Sequence, residues 1–395
     1  MVSGIMLALL FIDIFTMAFN IQSVRASGTI YIRADGSIDP LTAPISTVDN
    51  VTYTLIDNIN DSIVIERDNV VLDGAGYSVQ GTWSEYSKGI DLHTRNNVTI
   101  KNTHIKGFWN GIEVDSSSNN TIIGNHATQN YESAIYLVYS SNNYIIRNNI
   151  TANRDGIDLR YSSNNNVSEN YVTANNGYGI FLISSNYNNN VTGNIVVANK
   201  NPGIWLEWLS NGNMIENNTV VSNKGYGVGL YASSENTIVE NNIVATKDYD
   251  GYGIALFDNS HYNVMSGNNV TNNIYGVYLS YSSNNRIFHN NFVRNLHQTF
   301  IDNSLNYWDD GYPSGGNFWS DYNGTDLYSG PYQNETGCDG IGDTPYIMDE
   351  NNRDNYPLTK PFGGWMLGDL DFDLDIDEDD LWTFCAAFIA YWKGH

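Results

Sequence analysis

The sequence predicts an all-β chain, a right-handed parallel β-helix, from three observations: a repeat close to 23 residues, short strands of period-two apolar residues within it, and turns of Asn, Ser and Gly between them. An element Asn-x-(apolar or Thr)-x-x-Asn starts at Asn97, Asn120, Asn143, Asn165, Asn189, Asn213, Asn236, Asn263 and Asn285, at spacings of 23, 23, 22, 24, 24, 23, 27 and 22 residues. A second element, (Gly/Ala)-(Ile/Val)-x-(Leu/Val), keeps the same period from Gly89 through Gly111, Ala134 and Gly156 to Gly276. No stretch inside the repeat has helical periodicity. A unit this short cannot bury an apolar face alone, but stacked units share one core. At ~4.8 Å per step, about nine or ten rungs make a rod roughly 45 to 50 Å long.

Each element of the repeat has a physical role. In Gly-Ile-x-Leu-x the Ile and Leu point inward and both x positions outward. The second Asn of the first element (Asn125, Asn148, Asn170, Asn194, Asn218, Asn241, Asn268, Asn290) recurs at one place in every rung. Asn tolerates left-handed backbone, and a row of side-chain amides donates and accepts along the rod, so these residues are expected to form a structural ladder. With 58 Asn among 395 residues, much of the composition is accounted for this way.

Charge narrows the class of partner. The chain has 18 Lys+Arg against 43 Asp+Glu, a net charge of -25, with no basic cluster. Such a surface repels phosphate backbones, which excludes nucleic acid and favours divalent cations and neutral polymers. Two cysteines, Cys338 and Cys385, do not make a disulfide framework. Residues 1–26 read as an export signal, an apolar run from Ile5 to Phe19 with a small-residue site ending at Ala26; an uncleaved anchor is the alternative. Either way the rest of the chain is expected to be secreted or at the cell surface. Eleven Asn-x-Ser/Thr sequons agree with an exported chain.

The outward x positions form two columns. The first reads Asp91, Glu113, Tyr136, Asp158, Phe181, Trp205, Gly229, Ala255, Tyr278; the second reads His93, Asp115, Val138, Arg160, Ile183, Glu207, Tyr231, Phe257, Ser280. Acids stacked at rung spacing repel unless they share a proton, hold a cation or pair with Arg. Asp91, Glu113, Asp115 and Asp158, with His93 and Arg160, are therefore the candidate catalytic group. Phe181, Trp205, Trp208, Tyr231, Phe257 and Tyr278 are the candidate glycan-stacking residues, since aromatic rings offer flat apolar faces to sugars. Outward charge also serves simply to keep a solenoid soluble. The seven His are scattered without a His-x-x-x-His pair, so copper is not expected.

After residue 305 the repeat gives way to a Gly/Trp/Tyr/Asp-rich segment, 306–362, expected to cap the open end of a solenoid occupying 27–305. Asp326, Asp339 and Asp343 within it are candidate calcium ligands by composition. In the tail, 363–395, Asp369, Asp371, Asp373, Asp375, Asp377 and Asp380 fall at positions 1, 3, 5, 7, 9 and 12 of a calcium loop, although Leu374 stands where a Gly normally turns it. Leu381, Phe384, Cys385, Phe388, Ile389 and Trp392 then form one apolar stripe at helical spacing. Calcium is the expected cofactor.

Two resemblances follow. The run Thr29-Ile30-Tyr31-Ile32-Arg33-Ala34-Asp35-Gly36-Ser37, the coil Asp68–Gly76 and the Asn-turn repeat resemble the right-handed β-helix proteins of the NosD-like and carbohydrate-binding and sugar-hydrolysis superfamily, over about Thr29 to Pro361. That group implies the β-helix fold and covers polysaccharide-acting enzymes, copper-centre maturation proteins and surface proteins. The usual pectinase segments (Gly-His-Gly, Arg-Ile-Lys) and the epimerase Asp-Pro-His-Asp segment are absent. The tail, from Gly368-Asp369 to Asp380, resembles one repeat of a dockerin, implying a cohesin-like partner; it is single where dockerins carry two. The expected function is calcium-stabilised binding of polysaccharide or surface glycan. A lyase, epimerase or hydrolase acting on uronate glycans is the first alternative, and a ligand-free structural surface protein the second.

Overall fold

The computed structural model describes residues 28–244 and 251–363. Each turn of chain lays down three strands, one in each of three sheets of 13, 12 and 11 strands. A typical turn runs Asn110–Asp115 in sheet one, Thr121–Ile123 in sheet two and His126–Thr128 in sheet three, then returns to sheet one as Ser133–Val138. Successive turns pair in parallel with like positions opposite, as Ile112 opposes Ile135 and Leu137 opposes Leu159. The result is an all-β solenoid of about eleven turns.

The stack extends below the repeats that the Gly-Ile-x-Leu element marks. Ile30–Ile32 and Ile63–Ile65 form the first two parallel strands of sheet one beneath Lys88–His93, built from Ile-x-Ile without the glycine, and Ile38–Asp39 pairs antiparallel at the edge. Their spacing is irregular, which is why a periodicity of 23 passes over them.

The interior is a stack of aliphatic columns. Ile112, Ile135, Ile157, Ile180 and Ile204 from sheet one, Ile122, Ile145, Val167 and Val191 from sheet two, and Ile150, Val172 and Val196 from sheet three are all fully buried. β-Branched side chains suit this pleated interior, and each buried one contributes roughly 1.5–3 kcal/mol as an upper figure. The glycine of the repeat is steric: a Cβ on Gly156 would overlap the Gly179 carbonyl oxygen of the next turn.

From Asn119 onward most corners follow one rule, a residue in the left-handed region and then a buried amide or hydroxyl. Asn119, Asn142 and Asn164 (φ 57, 59 and 57°) precede Asn120, Asn143 and Asn165; Arg147 and Glu169 (φ 53 and 55°) precede Asn148 and Asn170. The expected ladder runs unbroken from Asn125 to Asn317. Asn148 donates both its backbone N–H and its side-chain amide to Asn170 Oδ1, at 2.9 and 3.0 Å, and also donates to the Ile122 carbonyl at 2.9 Å. The first Asn of the element makes an equal ladder, as Asn143 does onto Asn165 Oδ1 at 2.8 and 3.1 Å. A third, from Asn130 to Asn223, turns sheet three back into sheet one, and Ser117, Ser140 and Ser162 make a hydroxyl row at the remaining corner.

Residues 306–362 cover the open end. Trp308 and Trp319 are buried, and Trp319 is stacked between Phe292 at 4.6 Å and Tyr346 at 4.4 Å. Two ladders end on cap residues: Asn306 donates its N–H to Asn352 Oδ1 at 3.1 Å, and Asn317 to Asp354 Oδ2 at 2.7 Å. Asp326 accepts the N–H groups of Asp339 and Gly340, and Asp343 those of Leu327 and Tyr328. Asp339 likewise accepts from Ile341. These carboxylates close turns, a role that composition alone does not distinguish from metal ligation.

Candidate functional site

The two outward columns stack as the repeat predicts. Asp91, Glu113, Tyr136, Asp158, Phe181, Trp205, Gly229, Ala255 and Tyr278 are successive partners in sheet one, and so are His93, Asp115, Val138, Arg160, Ile183, Glu207, Tyr231, Phe257 and Ser280. A third column lies at the residue before the glycine of the repeat or its equivalent, Ala134 or Gln298. Lys88 opposes Asn110, Ser133 opposes Asp155, and Tyr226, Tyr252, Tyr275 and His297 follow in register. Strict alternation from Ile90 would turn Lys88 inward. The glycine shifts the phase, and this column escapes a period-two reading.

The third column completes a cleft of about 350 Å³ over the N-terminal half of sheet one, lined by Tyr86, Lys88, Trp109, Asn110, Glu113, Glu132, Ser133, Tyr136 and Arg160. Lys88 Nζ lies 2.7 Å from Glu113 Oε1 and 3.2 Å from Asp91 Oδ1, bridging two turns. Asn110 donates to the other Glu113 oxygen at 2.8 Å. Burial works against the Lys88 ammonium, but Glu113 and Asp91 together raise its pKa above the ordinary lysine value. Burial pushes Asp91 up, with Lys88 opposing.

On the far side Arg160 grips Asp158 through Nε at 3.1 Å and Nη2 at 2.8 Å. Asp158 is fully buried, and that burial carries its carboxyl up to about 6 against the pull of Arg160. Tyr136 stands between the two ion pairs, its ring 5.3 Å from the Arg160 guanidinium carbon, its hydroxyl pushed by burial up to about 12. Arg154 pairs with Glu132 at the rim. Each cation that faces the cleft thus has its own carboxylate. Tyr86, Trp109 and Tyr131 form an aromatic wall, with centroids 5.1 and 4.6 Å apart.

The six charged candidates therefore divide. Glu113 and Arg160 face the cleft; Asp91 and Asp158 stand behind, holding Lys88 and Arg160; His93 and Asp115 pair with each other, Nδ1 to Oδ2 at 2.9 Å, apart from it. Lys88, Trp109 and Tyr136 were not among the sequence candidates.

The aromatic candidates also divide. Phe181 and Trp205 are only 7 and 8% exposed, because third-column rings lie on them: Tyr178 on Phe181 at 4.4 Å and Tyr226 on Trp205 at 5.2 Å. Trp205 extends over Gly229 of the next turn, where a Cβ would overlap its ring. Tyr231, Phe257 and Tyr278 are half-buried in a rank that continues through Tyr252, Tyr275 and Phe300, with Tyr278 on Phe300 at 4.5 Å. Trp208 lies in a corner, exposed, with φ 48°.

The calcium-loop residues Asp369, Asp371, Asp373, Asp375, Asp377 and Asp380, the stripe after them, Cys385 and the export segment all lie outside the described residues. Among the described residues no group of three or more His, Cys, Asp or Glu is placed to hold a metal, and no helix is long and apolar enough to cross a membrane. One histidine pair that linear spacing conceals is present. His104 and His126 oppose each other on adjacent turns of sheet three, rings 5.3 Å apart.

Two family models match the chain: "Right handed beta helix region" over residues 56–220 and "Periplasmic copper-binding protein (NosD)" over 185–324. Within the second span His261 Nδ1 is hydrogen-bonded by the Ser283 backbone, His289 Nε2 by the Ser314 carbonyl, and the His297 ring is stacked on Tyr275. No curated protein sequence matches the chain. Among solved structures, the Dettilon tailspike protein is 15% identical, with TM-score 0.45, covering 76% of this chain and 69% of its own. The periplasmic alginate epimerase AlgG is 15% identical, with TM-score 0.39, covering 71% and 84%. The Azotobacter vinelandii mannuronan C-5 epimerase AlgE4 A-module is 15% identical, with TM-score 0.37, covering 71% and 88%. At these identities the likeness is one of fold. Repeat, sheets and family matches together make this chain a right-handed parallel β-helix repeat protein.

Proposed function

We propose that this is an exported glycan-binding protein that lays a neutral polysaccharide along the outer face of sheet one. The observation that carries this reading is the cleft: an open, aromatic-walled trough whose Lys88 and Arg160 are each neutralised by carboxylates of the same chain. Paired charges of this kind offer donors and acceptors to sugar hydroxyls with no surplus positive charge, while Tyr86, Trp109 and Tyr131 offer ring faces. From Tyr136 the same face runs six turns to Tyr278, roughly 29 Å at ~4.8 Å per turn, length for about six sugar units. Tyr231, Phe257 and Tyr278 would continue the track, with Trp208 at its edge. Phe181 and Trp205 would form its base. Export is supported by the signal-like segment 1–26 and by the match to a family described as periplasmic.

A uronate-cleaving or epimerising enzyme is the second reading, favoured by the Glu113, Tyr136 and Arg160 cluster; it needs a cation free for the substrate carboxylate. Retention of the purified protein in gels cast with neutral glucans, xylan or mannan, against alginate and pectate, separates the two, together with absorbance of unsaturated uronate. Slowing by a neutral polymer alone supports the proposal; retention by uronate polymers with product absorbance replaces it, and neither leaves a structural surface protein. For the tail we propose calcium binding at Asp369 to Asp380, on the spacing of its acids. Calorimetric titration with calcium before and after Asp369→Ala and Asp380→Ala tests it, and equal heats would remove it.

A further inference from the structure

The three corners of the rod share a left-handed residue but not the same kind of residue. Between sheets two and three it is polar or glycine, as at Asn102, Gly124, Arg147, Glu169 and Asn217; between sheets three and one it is small or polar, as at Gln129, Ala152, Ala174, Ala198 and Ser222. Between sheets one and two, directly after the second outward column, it is Tyr139, Tyr161, Trp208 and Tyr281 (φ 48, 50, 48 and 50°), with Ser116, Ser184, Ala232 and Asn303 in other turns. The remaining Tyr, Trp and Phe residues described with left-handed backbone are Tyr262, on this same corner, and Trp83 and Tyr86, in the loop before Lys88. Tyr86 already belongs to the wall of the cleft.

The fold does not ask for rings at this corner. Left-handed backbone disfavours bulky side chains, and the turns with Ser116, Ser184 and Asn303 make the same corner without one. Tyr139, Tyr161, Trp208 and Tyr281 are 63, 48, 53 and 54% exposed, so they close no core. They stand on one ridge, because each follows a residue of the second column, whose register is continuous from Val138 to Ser280. Tyr139 and Tyr161 are stacked, with centroids 5.0 Å apart. At ~4.8 Å per turn, that pair, Trp208 and Tyr281 make three platforms separated by roughly 10 and 14 Å, along the length of the track they border.

We infer that this ridge is a second glycan-binding site, one that takes the surface of a packed, insoluble neutral polysaccharide. The inference rests on the glycan reading for its class of ligand, and not on the cleft. A cleft surrounds a single chain, whereas a ridge offers rings from one side only; each contact is weak, and several must act at once, which a surface of packed chains allows. The ring faces and edges suit sugars, and Asn142 and Asn164, exposed beside Tyr139 and Tyr161, bring amide groups to sugar hydroxyls. The ligand is neutral because no Lys or Arg is left-handed on this corner, and the net charge of -25 repels polyanions and a second copy of the chain alike.

The test compares the full chain with a variant carrying Tyr139→Ser, Tyr161→Ser and Tyr281→Asn, residue types that this corner already holds at Ser116, Ser184 and Asn303. Depletion of the protein by microcrystalline cellulose and by insoluble mannan reads the ridge, titration with cellohexaose and mannohexaose reads the cleft, and thermal unfolding reads the fold. The wild type is expected to be retained by at least one polymer and the variant at least tenfold less, with hexasaccharide affinity and thermal midpoint unchanged. The same loss of retention, with no hexasaccharide bound by either protein, would support the ridge and refute the cleft. Hexasaccharide binding without polymer retention by the wild type would overturn the ridge and leave the cleft standing. Wild-type retention by the variant, or a midpoint lowered by more than about 5 °C, would also overturn it, the rings then being idle or packing elements. A wild-type dimer on size exclusion that the variant lacks would assign the ridge to a second copy and overturn it as well.

Discussion

Lys88 on one turn closes on Glu113 of the next at 2.7 Å while holding Asp91 of its own strand at 3.2 Å, so one ammonium bridges two acids that the β-helix register stacks directly over each other. Rung spacing sets this geometry. A carboxylate at the same position on consecutive turns has a like charge about 5 Å away, and a cation must come from a neighbouring column.

Removing that cation exposes the repulsion. Lys88→Met leaves Glu113 with only Asn110 as a partner, and is expected to lower stability by about 1–3 kcal/mol and weaken glycan retention severalfold. Adding Glu113→Gln should restore most of the stability. Denaturation midpoints of the single and double variants check this.

The ladders predict a sharp contrast between asparagines. Asn170 accepts two hydrogen bonds from Asn148 and donates to the Ile145 carbonyl at 2.8 Å and Asn194 Oδ1 at 3.0 Å, all buried. Asn170→Ala strands several of these groups at about 1–3 kcal/mol each and is expected to cost on the order of 4 kcal/mol. Exposed Asn176→Ala should cost under about 0.5 kcal/mol. Urea denaturation of both variants is the comparison.

In the cap, burial carries the Asp354 carboxyl up to about 7, although it accepts N–H bonds from Asn317, Trp319 Nε1 and Tyr356. A carboxyl whose folded pKa lies above its unfolded value of 3.8 contributes stability fully below that value, and the contribution is lost as pH rises through about 7. The thermal midpoint of the cap, followed by tryptophan fluorescence, should therefore fall between pH 5 and pH 8. Asp354→Asn should flatten that slope.

Gly229 gives a packing prediction. With a methyl group there, the Trp205 ring must leave its seat on the next turn, so Gly229→Ala is expected to cost about 1–3 kcal/mol and red-shift the tryptophan emission. An unchanged spectrum with unchanged stability would place Trp205 elsewhere.

The fold and both outward columns were legible because a solenoid repeats one local rule: Ile112 and Ile135 meet because each stands one place after the same small residue. The ladder of Asn125 to Asn290 was legible for the same reason. Lys88 was not, because Gly89 breaks the strand alternation that assigns sides, and with Lys88 went the third column and the cleft it completes. Trp109 follows no repeat motif. Phe181 and Trp205 sit where the columns place them, yet their burial depends on Tyr178 and Tyr226 from that unread column. Asp326 and Asp343 show the limit of composition, since a turn-closing carboxylate and a metal ligand share one residue type. His104 and His126 show that contacts across turns are hidden from linear spacing.

The most direct test of the glycan reading is calorimetric titration of wild-type protein and the Trp109→Ala variant with a neutral hexasaccharide and, separately, with a uronate hexasaccharide. The account predicts that the neutral ligand binds the wild type, that the uronate binds more weakly, and that Trp109→Ala weakens the neutral ligand about tenfold, the equivalent of ~1.4 kcal/mol. Tighter binding of the uronate, or equal affinity of both proteins for the neutral ligand, would contradict it.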